Sequence, residues 1–285
     1  VMTYLFFFWE PSEGPRSDRQ LAFHYSQTGR LEDAEKLYRK ILKTTDRHPA
    51  KQASAARDLA EVLVLRDCLQ EAESLLLTAQ AADKRAGRKT SPHDLRELAY
   101  VLGAQRRYSE AEDLMREALS NEPIGGPSSI TSRTYAVNDL IILLGTTDKW
   151  SQAAAIAADH VKLAESVCGS SAPETAVAIN NLAQVLHIQG RLPEAKPLML
   201  RALKIWLETS GARHEAIGIG LRNLGQLLQD SDRLGEAELL IRHSLNIFRL
   251  KNPTGSTDVV VSLDNLAEVM TRTEQTATAT VLREQ

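Results

Sequence analysis

Aromatic residues are scarce, 5% of the 285-residue chain, while hydrophobic residues reach 43%. A core poor in rings has to be filled by Leu, Ala, Val and Ile, the residues of close helix–helix contacts, and this favours helices over strands. An excess of one charge is also lacking. The net charge is −3 and the isoelectric point near 6.2, so no global positive field exists to hold a phosphate backbone, and nucleic acid is excluded as a first expectation. Only Cys68 and Cys168 could form a disulfide, and no Asn-x-Ser/Thr glycosylation signal occurs; both facts fit a reducing cytoplasm, the expected location. The apolar stretch from Val1 to Trp9 is too short to span a bilayer and lacks the basic flank of a secretory signal, so no membrane association is expected. Residues 1–16 are expected to be an N-terminal extension, the end of an upstream element in a longer protein.

What the chain does have is a beat. Alanine falls at Ala34, Ala72, Ala111, Ala153, Ala195, Ala237 and Ala279, each thirteen residues after a leucine: Leu21, Leu59, Leu98, Leu140, Leu182, Leu224 and Leu266. The alanines are 38, 39, 42, 42, 42 and 42 residues apart. One unit of ~40 residues cannot bury its own apolar face, so the units must stack and supply each other's core. The fold class predicted is all-α: a right-handed superhelical solenoid of about seven helix-turn-helix repeats over residues 17–285, with units near 17–50, 51–91, 92–130, 131–173, 174–215, 216–257 and 258–285. Cys68 and Cys168 then lie two or more repeats apart, beyond the ~7 Å that a disulfide spans between Cα atoms.

One repeat shows why the period exists. Val177, Leu182, Ala183, Val185, Leu186 and Ile188 recur at three- and four-residue steps and predict an amphipathic helix that stops at Gly190-Arg191. A second helix follows through Leu192, Ala195, Leu198, Met199, Ala202, Leu203 and Trp206. Ala183 and Ala195 flank the turn and allow close approach, and Leu182 and Leu186 should meet Leu198, Met199 and Ala202. The same parts recur at Gly29-Arg30 and Asp232-Arg233, while the second turn has Asp67-Cys68. Looser Gly-, Pro-, Ser- or Thr-rich segments separate the pairs: Thr45 to Ala50, Gly87 to Pro92, Asn121 to Ser129, Gly169 to Pro173, Gly211 to Glu215 and Asn252 to Thr257. Asn121 to Ser129, the longest, is the expected hinge or insertion site. Pro197, one turn beyond Pro193, predicts a kink or a late helix start, and the final unit, with Gln275 to Ala279, predicts a frayed second helix.

Asn181-Leu182-Ala183, Gly190-Arg191-Leu192, Glu194-Ala195 and Ala202-Leu203 resemble the tetratricopeptide pattern, and the 42-residue spacing resembles the long variant of kinesin light chains and of helical arms on fungal and bacterial signalling NTPases. The resemblance runs from about residue 17 to 285, strongly from Thr134 onward. It implies fold rather than a particular function, because this scaffold presents many different grooves. Its first implication is a non-catalytic protein-interaction scaffold; the alternative is a sensor or autoinhibitory arm of a larger signalling NTPase, whose ligand is another part of its own chain.

Enzyme signatures dissolve residue by residue, and neither catalysis nor a cofactor is expected. His214-Glu215 begins like a zinc-protease motif, but Gly218 stands where the second histidine is required. Gly218, Gly220 and Gly225 have the wrong spacing for a dinucleotide fingerprint and no preceding strand, and read as close helix packing. No Gly-Lys-Ser/Thr phosphate loop occurs. The seven histidines form no i, i+4 pair and no Cys/His cluster, so no metal site is expected.

In the family this chain resembles, the first helix of each pair lines a concave groove. Positions just before the signature leucine, and two, five and six after it, would point there. The groove expected here is Asn138, Asp139, Asn180, Asn181, Gln184, His187, Arg222, Asn223, Gln226, Asp264, Asn265 and Glu268, with Ile188, Gln229, Asp230, Thr271 and Arg272 beside them. Asn181, Asn223 and Asn265 lie 42 residues apart, and Asp139 and Glu97 continue the column backward. An amide donates and accepts, so it can pair with an extended peptide backbone or with the adjacent helix, and residue type alone does not choose. The mixed charges, Arg57, Arg96, Arg222 and Arg272 against Asp58, Glu61, Glu97, Asp139, Asp230, Asp264 and Glu268, favour an internal peptide segment or a protein surface over an acidic tail.

Overall fold

The computed structural model describes residues 17–45, 47–210, 214–251 and 256–273. Among these are thirteen helices and no strand. The expected lead-in at residues 1–16 and the final unit's second helix, with Ala279, fall outside the described residues. The chain divides into two compact units, Val1–Asn121 and Glu122–Gln285.

The first unit holds α1 (Asp18–Gln27), α2 (Leu31–Thr44), α3 (Pro49–Leu65), α4 (Leu69–Arg85), α5 (Pro92–Ala104) and α6 (Tyr108–Asn121). The second holds α7 (Pro127–Thr146), α8 (Trp150–Cys168), α9 (Pro173–Ile188), α10 (Leu192–Ser210), α11 (Glu215–Asp230), α12 (Leu234–Lys251) and α13 (Thr257–Arg272). Successive helices pair as hairpins, and within each unit the second helix of one hairpin packs on the first helix of the next.

Local chemistry sets the ends. Proline opens α3, α5, α7 and α9, where its missing N–H is an orphan anyway. Ser17, Ser91 and Ser256 accept backbone N–H groups at the starts of α1, α5 and α13. Among the described residues every hairpin turn closes the same way: Gly29, Asp67, Arg106, Asp148, Gly190 and Asp232 take φ between 58° and 77°. The next residue's N–H reaches back five residues, as in Arg107 to the Leu102 carbonyl and Arg191 to the Leu186 carbonyl, both at 2.9 Å. This double-bonded left-handed cap satisfies the last carbonyls of one helix while reversing the chain.

The repeated alanines lie in the core of the hairpins. Ala34, Ala72, Ala111, Ala153, Ala195 and Ala237 are fully buried, and Leu59, Leu98, Leu140, Leu224 and Leu266 are buried beside them. Leu182, Ala183, Leu186, Ala195, Leu198 and Met199 share one core cluster, as the pattern predicted. The glycines of α11 are packing devices: a Cβ on Gly218 would stand 2.9 Å from the Phe248 ring, one on Gly220 3.0 Å from Trp206, and one on Gly225 2.7 Å from Ile241.

Two expectations need correction. Of the kink or late start expected at Pro197, the late start does not occur; α10 begins at Leu192 and continues through Pro197, because a proline in the second turn forfeits only the bond to the Pro193 carbonyl. The looser segment after α6 is also shorter than Asn121 to Ser129, since α7 already begins at Pro127 and the buried Ser129 donates to the Gly126 carbonyl at 2.8 Å.

Candidate functional site

In the second unit the residues expected to line a groove come from α7, α9, α11 and α13, whose first-helix positions recur with the repeat. The amides form a ladder between neighbouring first helices. Asn181 Nδ2 donates to Asn138 Oδ1 at 2.7 Å, and Asn223 Nδ2 donates to Asn180 Oδ1 at 3.0 Å. Each rung joins residues 43 apart, two positions before one signature leucine to one position before the next. The third rung would pair Asn265 with residue 222, but that residue is Arg222, which turns instead to Asp258 at 2.7 Å and lies over the Phe248 ring. Asn265 Oδ1 accepts from Gln226 Nε2 at 3.2 Å, and its own buried Nδ2 has no partner.

The ladder settles where several expected groove residues go. Asn180 and Asn223 are buried, as is Gln229, so these three do not reach an open surface. Their offsets from the signature leucines point them to the groove face, whereas the helix stack holds them in its interior. Asn138, Asp139, Asn181, Gln184, His187, Arg222, Gln226 and Asn265 are half-buried, and Asp264 and Glu268 are exposed. His187 Nε2 lies 2.7 Å from Asp230 Oδ2 in the same 43-residue register. Arg272 donates to the Gln229 carbonyl at 2.9 Å and to Asp232 at 3.0 Å, so it belongs to the stack. The sequence reading missed Ile142, which is 65% exposed and stands 42 residues before Gln184 in the column that continues to Gln226 and Glu268. Ile188 on α9 is 59% exposed.

In the first unit the corresponding positions are ionic. Arg19 Nε donates to Asp58 at 2.7 Å, and Arg57 joins Asp83 to Asp94, with Arg57 Nε 2.5 Å from Asp94 Oδ1. Glu97 beside them is pushed up to about 7, by burial first and then by the Asp94 and Glu61 charges, with Arg57 opposing. His93, Asp94 and Glu97 can each bring a ligand atom within 4.8 Å of the others, a trio that a search for His or Cys pairs overlooks. Asp94 is already committed to the capping box of α5 with Ser91 and to the Arg57 guanidinium, whose charge repels a cation, so the trio is part of an ion-pair network.

His214 and the two thiols sit in structural surroundings. His214 caps α11, its Nδ1 accepting the Ala216 N–H at 3.2 Å. The Cys68 thiol donates to the Arg66 carbonyl at 3.7 Å, and burial, then Glu174, raises the Cys168 thiol above its ordinary value, the opposite of an activated nucleophile. Both cysteines are free. Among the described residues no helix is long and apolar enough to cross a membrane.

Tetratricopeptide repeat models match residues 174–249 and 95–120. By sequence, no protein of curated function matches the chain. By fold it is similar to BtubC (BKLC) from P. vanneervenii, with a TM-score of 0.56 at 18% identity over 87% of this chain and 88% of that one. It is also similar to a Podospora anserina protein with nearly identical TPR-like repeats, described as a kinesin light chain, with a TM-score of 0.57 at 20% identity over 68% of this chain and 95% of the other. A third likeness is to Pseudomonas aeruginosa pilF, with a TM-score of 0.51 at 20% identity over 85% and 93%. These likenesses concern the arrangement of helices.

Proposed function

We propose that this chain, a tetratricopeptide repeat array, is a non-catalytic cytoplasmic scaffold that holds an extended segment of a partner protein along the first-helix face of α7, α9, α11 and α13. The observation that carries the reading is that Ile142 and Ile188 stay more than half exposed on a face whose amides are held in place by one another. Fixed polar groups beside uncovered aliphatic side chains make a preorganised surface, on which a ligand gains apolar burial without ordering the receptor. Each rung uses one donor and one acceptor, so Asn181 Oδ1 and Asn138 Nδ2 retain capacity for a peptide N–H and C=O. Exposed Asp230, Asp264 and Glu268 disfavour an acidic tail and favour a neutral or basic segment with aliphatic side chains.

Selection of peptides against the whole chain tests this. Ile142→Ser with Ile188→Ser should weaken the selected peptides at least ~10-fold, since two aliphatic side chains lose about 1 kcal/mol or more each, and should leave thermal unfolding unchanged. Asn181→Ala should weaken the same peptides and also lower the unfolding midpoint, because it breaks a rung. Peptides that bind both variants as tightly as the parent would reject this face.

A further inference from the structure

Two hairpin turns carry the same Gln-x-Arg triplet, Gln105-Arg106-Arg107 and Gln189-Gly190-Arg191. The two arginines are held alike. Arg107 Nε and Nη2 donate to Glu110 at 2.7 and 2.6 Å; Arg191 Nε and Nη2 donate to Glu194 at 2.8 and 2.7 Å. In both, Nη1 lies 3.3 Å from the side-chain oxygen of the triplet's glutamine. What faces the triplet differs. In the first unit the Glu73 carboxylate of α4 accepts Arg107 Nη1 at 2.6 Å through Oε1 and Gln105 Nε2 at 3.0 Å through Oε2. The triplet is there a two-donor carboxylate receptor, filled by the preceding hairpin.

Glu73 directly follows the signature alanine of its helix; in α8 the residue directly after Ala153 is Ala154. A methyl group supplies no acceptor and fills little space. In its place the second unit has a cleft of about 700 Å³ between α8 and α10, lined by Ala154, Ala158, Leu182, Leu186, Pro197 and Leu198, with Arg191 and Glu194 at its edge. In α2, α6 and α12 the same two places hold a Glu–Arg pair one turn apart, Glu35–Arg39, Glu112–Arg116 and Glu238–Arg242, each at 2.8 Å, and in α10 they are Lys196 and Leu200. In α8 both places are alanine, Ala154 and Ala158.

We propose that this cleft docks a glutamate side chain of a partner polypeptide. The carboxylate takes the place that Glu73 has in the first unit, against Arg191 Nη1 and Gln189 Nε2, and an aliphatic residue one helical turn away enters the alanine-walled cleft. That Arg191 already holds Glu194 is no obstacle, because Arg107 holds Glu110 and Glu73 together. A guanidinium presents five donors in a fixed fork and can serve two carboxylates. The cleft is walled by α8, α10 and the Leu182–Leu186 side of α9 and includes none of the groove amides or Ile142 and Ile188, so this site stands or falls apart from the first-helix face.

The test is an amide-resolved NMR titration of the whole chain with acetyl-Ala-Glu-Ala-Leu-Leu-Ala-amide. Matched probes are the same hexapeptide with Gln for Glu, and that Gln peptide with a free C-terminal carboxylate. The glutamate peptide should shift resonances around Ala154, Gln189 and Arg191, and the blocked Gln peptide should bind at least ~5-fold more weakly, having lost a charge-assisted pair. Ala154→Glu should supply the missing carboxylate internally, raise the thermal midpoint and abolish the shifts; Ala158→Leu, which fills the cleft without adding charge, should abolish them too. Equal binding of the two blocked peptides, preference for the free C-terminus, shifts elsewhere, or unaltered binding by Ala154→Glu would each overturn the site.

Discussion

Left-handed backbone at Gly29, Asp67, Arg106, Asp148, Gly190 and Asp232 is what turns a helical chain into hairpins, and the six residues bear its cost unequally. Glycine adopts this conformation freely, aspartate tolerates it, and a long side chain is strained there by ~1 kcal/mol or more. Arg106 is the outlier: its φ is 65° and its side chain is exposed. Arg106→Gly should therefore stabilise the chain by about 0.5–1 kcal/mol, the relief being partly offset by the freer unfolded chain. Gly190→Ala should cost about 1 kcal/mol. Urea unfolding of both variants checks the pair, and a destabilised Arg106→Gly would mean that the turn is held by that side chain. Only part of this was legible in the sequence. Gly29 and Gly190 announce their turns, but at Arg106 the conformation is imposed by the helices on either side, and no residue preference reports it.

At the scale of the helix, close approach rather than intrinsic propensity decides what a glycine does. Gly225→Ala would place a methyl 2.7 Å from fully buried Ile241 and 3.4 Å from the Ala237 carbonyl, in α12. Overpacking there should cost about 1–3 kcal/mol. Gly235, in the first turn of α12, has open space where a Cβ would go, and Gly235→Ala should gain about 0.5 kcal/mol from helix propensity. Thermal unfolding should move in opposite directions for the two substitutions; a shared sign would show that packing does not govern α11. The helices themselves were readable because Pro49, Pro92, Pro127 and Pro173 mark starts and the Leu–Ala beat marks the buried seam. The side-chain ladder was not. Counting by 42 aligns equivalent positions, but neighbouring first helices pair in steps of 43, so Asn180 meets Asn223 and Asn138 meets Asn181. Asn265 meets no asparagine, because Arg222 holds that register. The filled and empty Gln-x-Arg receptors were invisible for a related reason: they depend on a residue 32 positions away in Glu73 and 35 away in Ala154.

For the whole molecule, the two units carry buried titratable groups whose effects on stability run in opposite directions with pH. His160, in the second unit, is buried; its Nε2 donates to the Thr134 hydroxyl at 2.8 Å, which itself donates to the Ile130 carbonyl, and its buried Nδ1 has no partner. Burial, then Arg133, lowers it from 6.5 to about 4. Between those values the unfolded chain binds the proton and the native chain does not, so the contribution of neutral His160 is present above pH 6.5 and is lost as pH falls toward 4. Glu97, in the first unit, is raised from 4.5 to about 7, so there the native state holds the proton and stability declines as pH rises through that interval. The ion-paired Glu71, Glu110 and Glu194 are held below the ordinary carboxylate value, whereas Glu61, in the first unit, is raised by burial and then by the Asp58 charge and acts with the same sign as Glu97. Hydrogen-exchange protection in the intact chain, corrected for intrinsic rates, should fall for α7 and α8 by about 2 kcal/mol from pH 7 to pH 5 and rise for α5 over the same interval. His160→Gln should flatten the first response and Glu97→Gln should reduce the second, each without touching the other unit's slope. Responses of one sign in both units, or slopes indifferent to these substitutions, would locate the pH sensitivity in other groups.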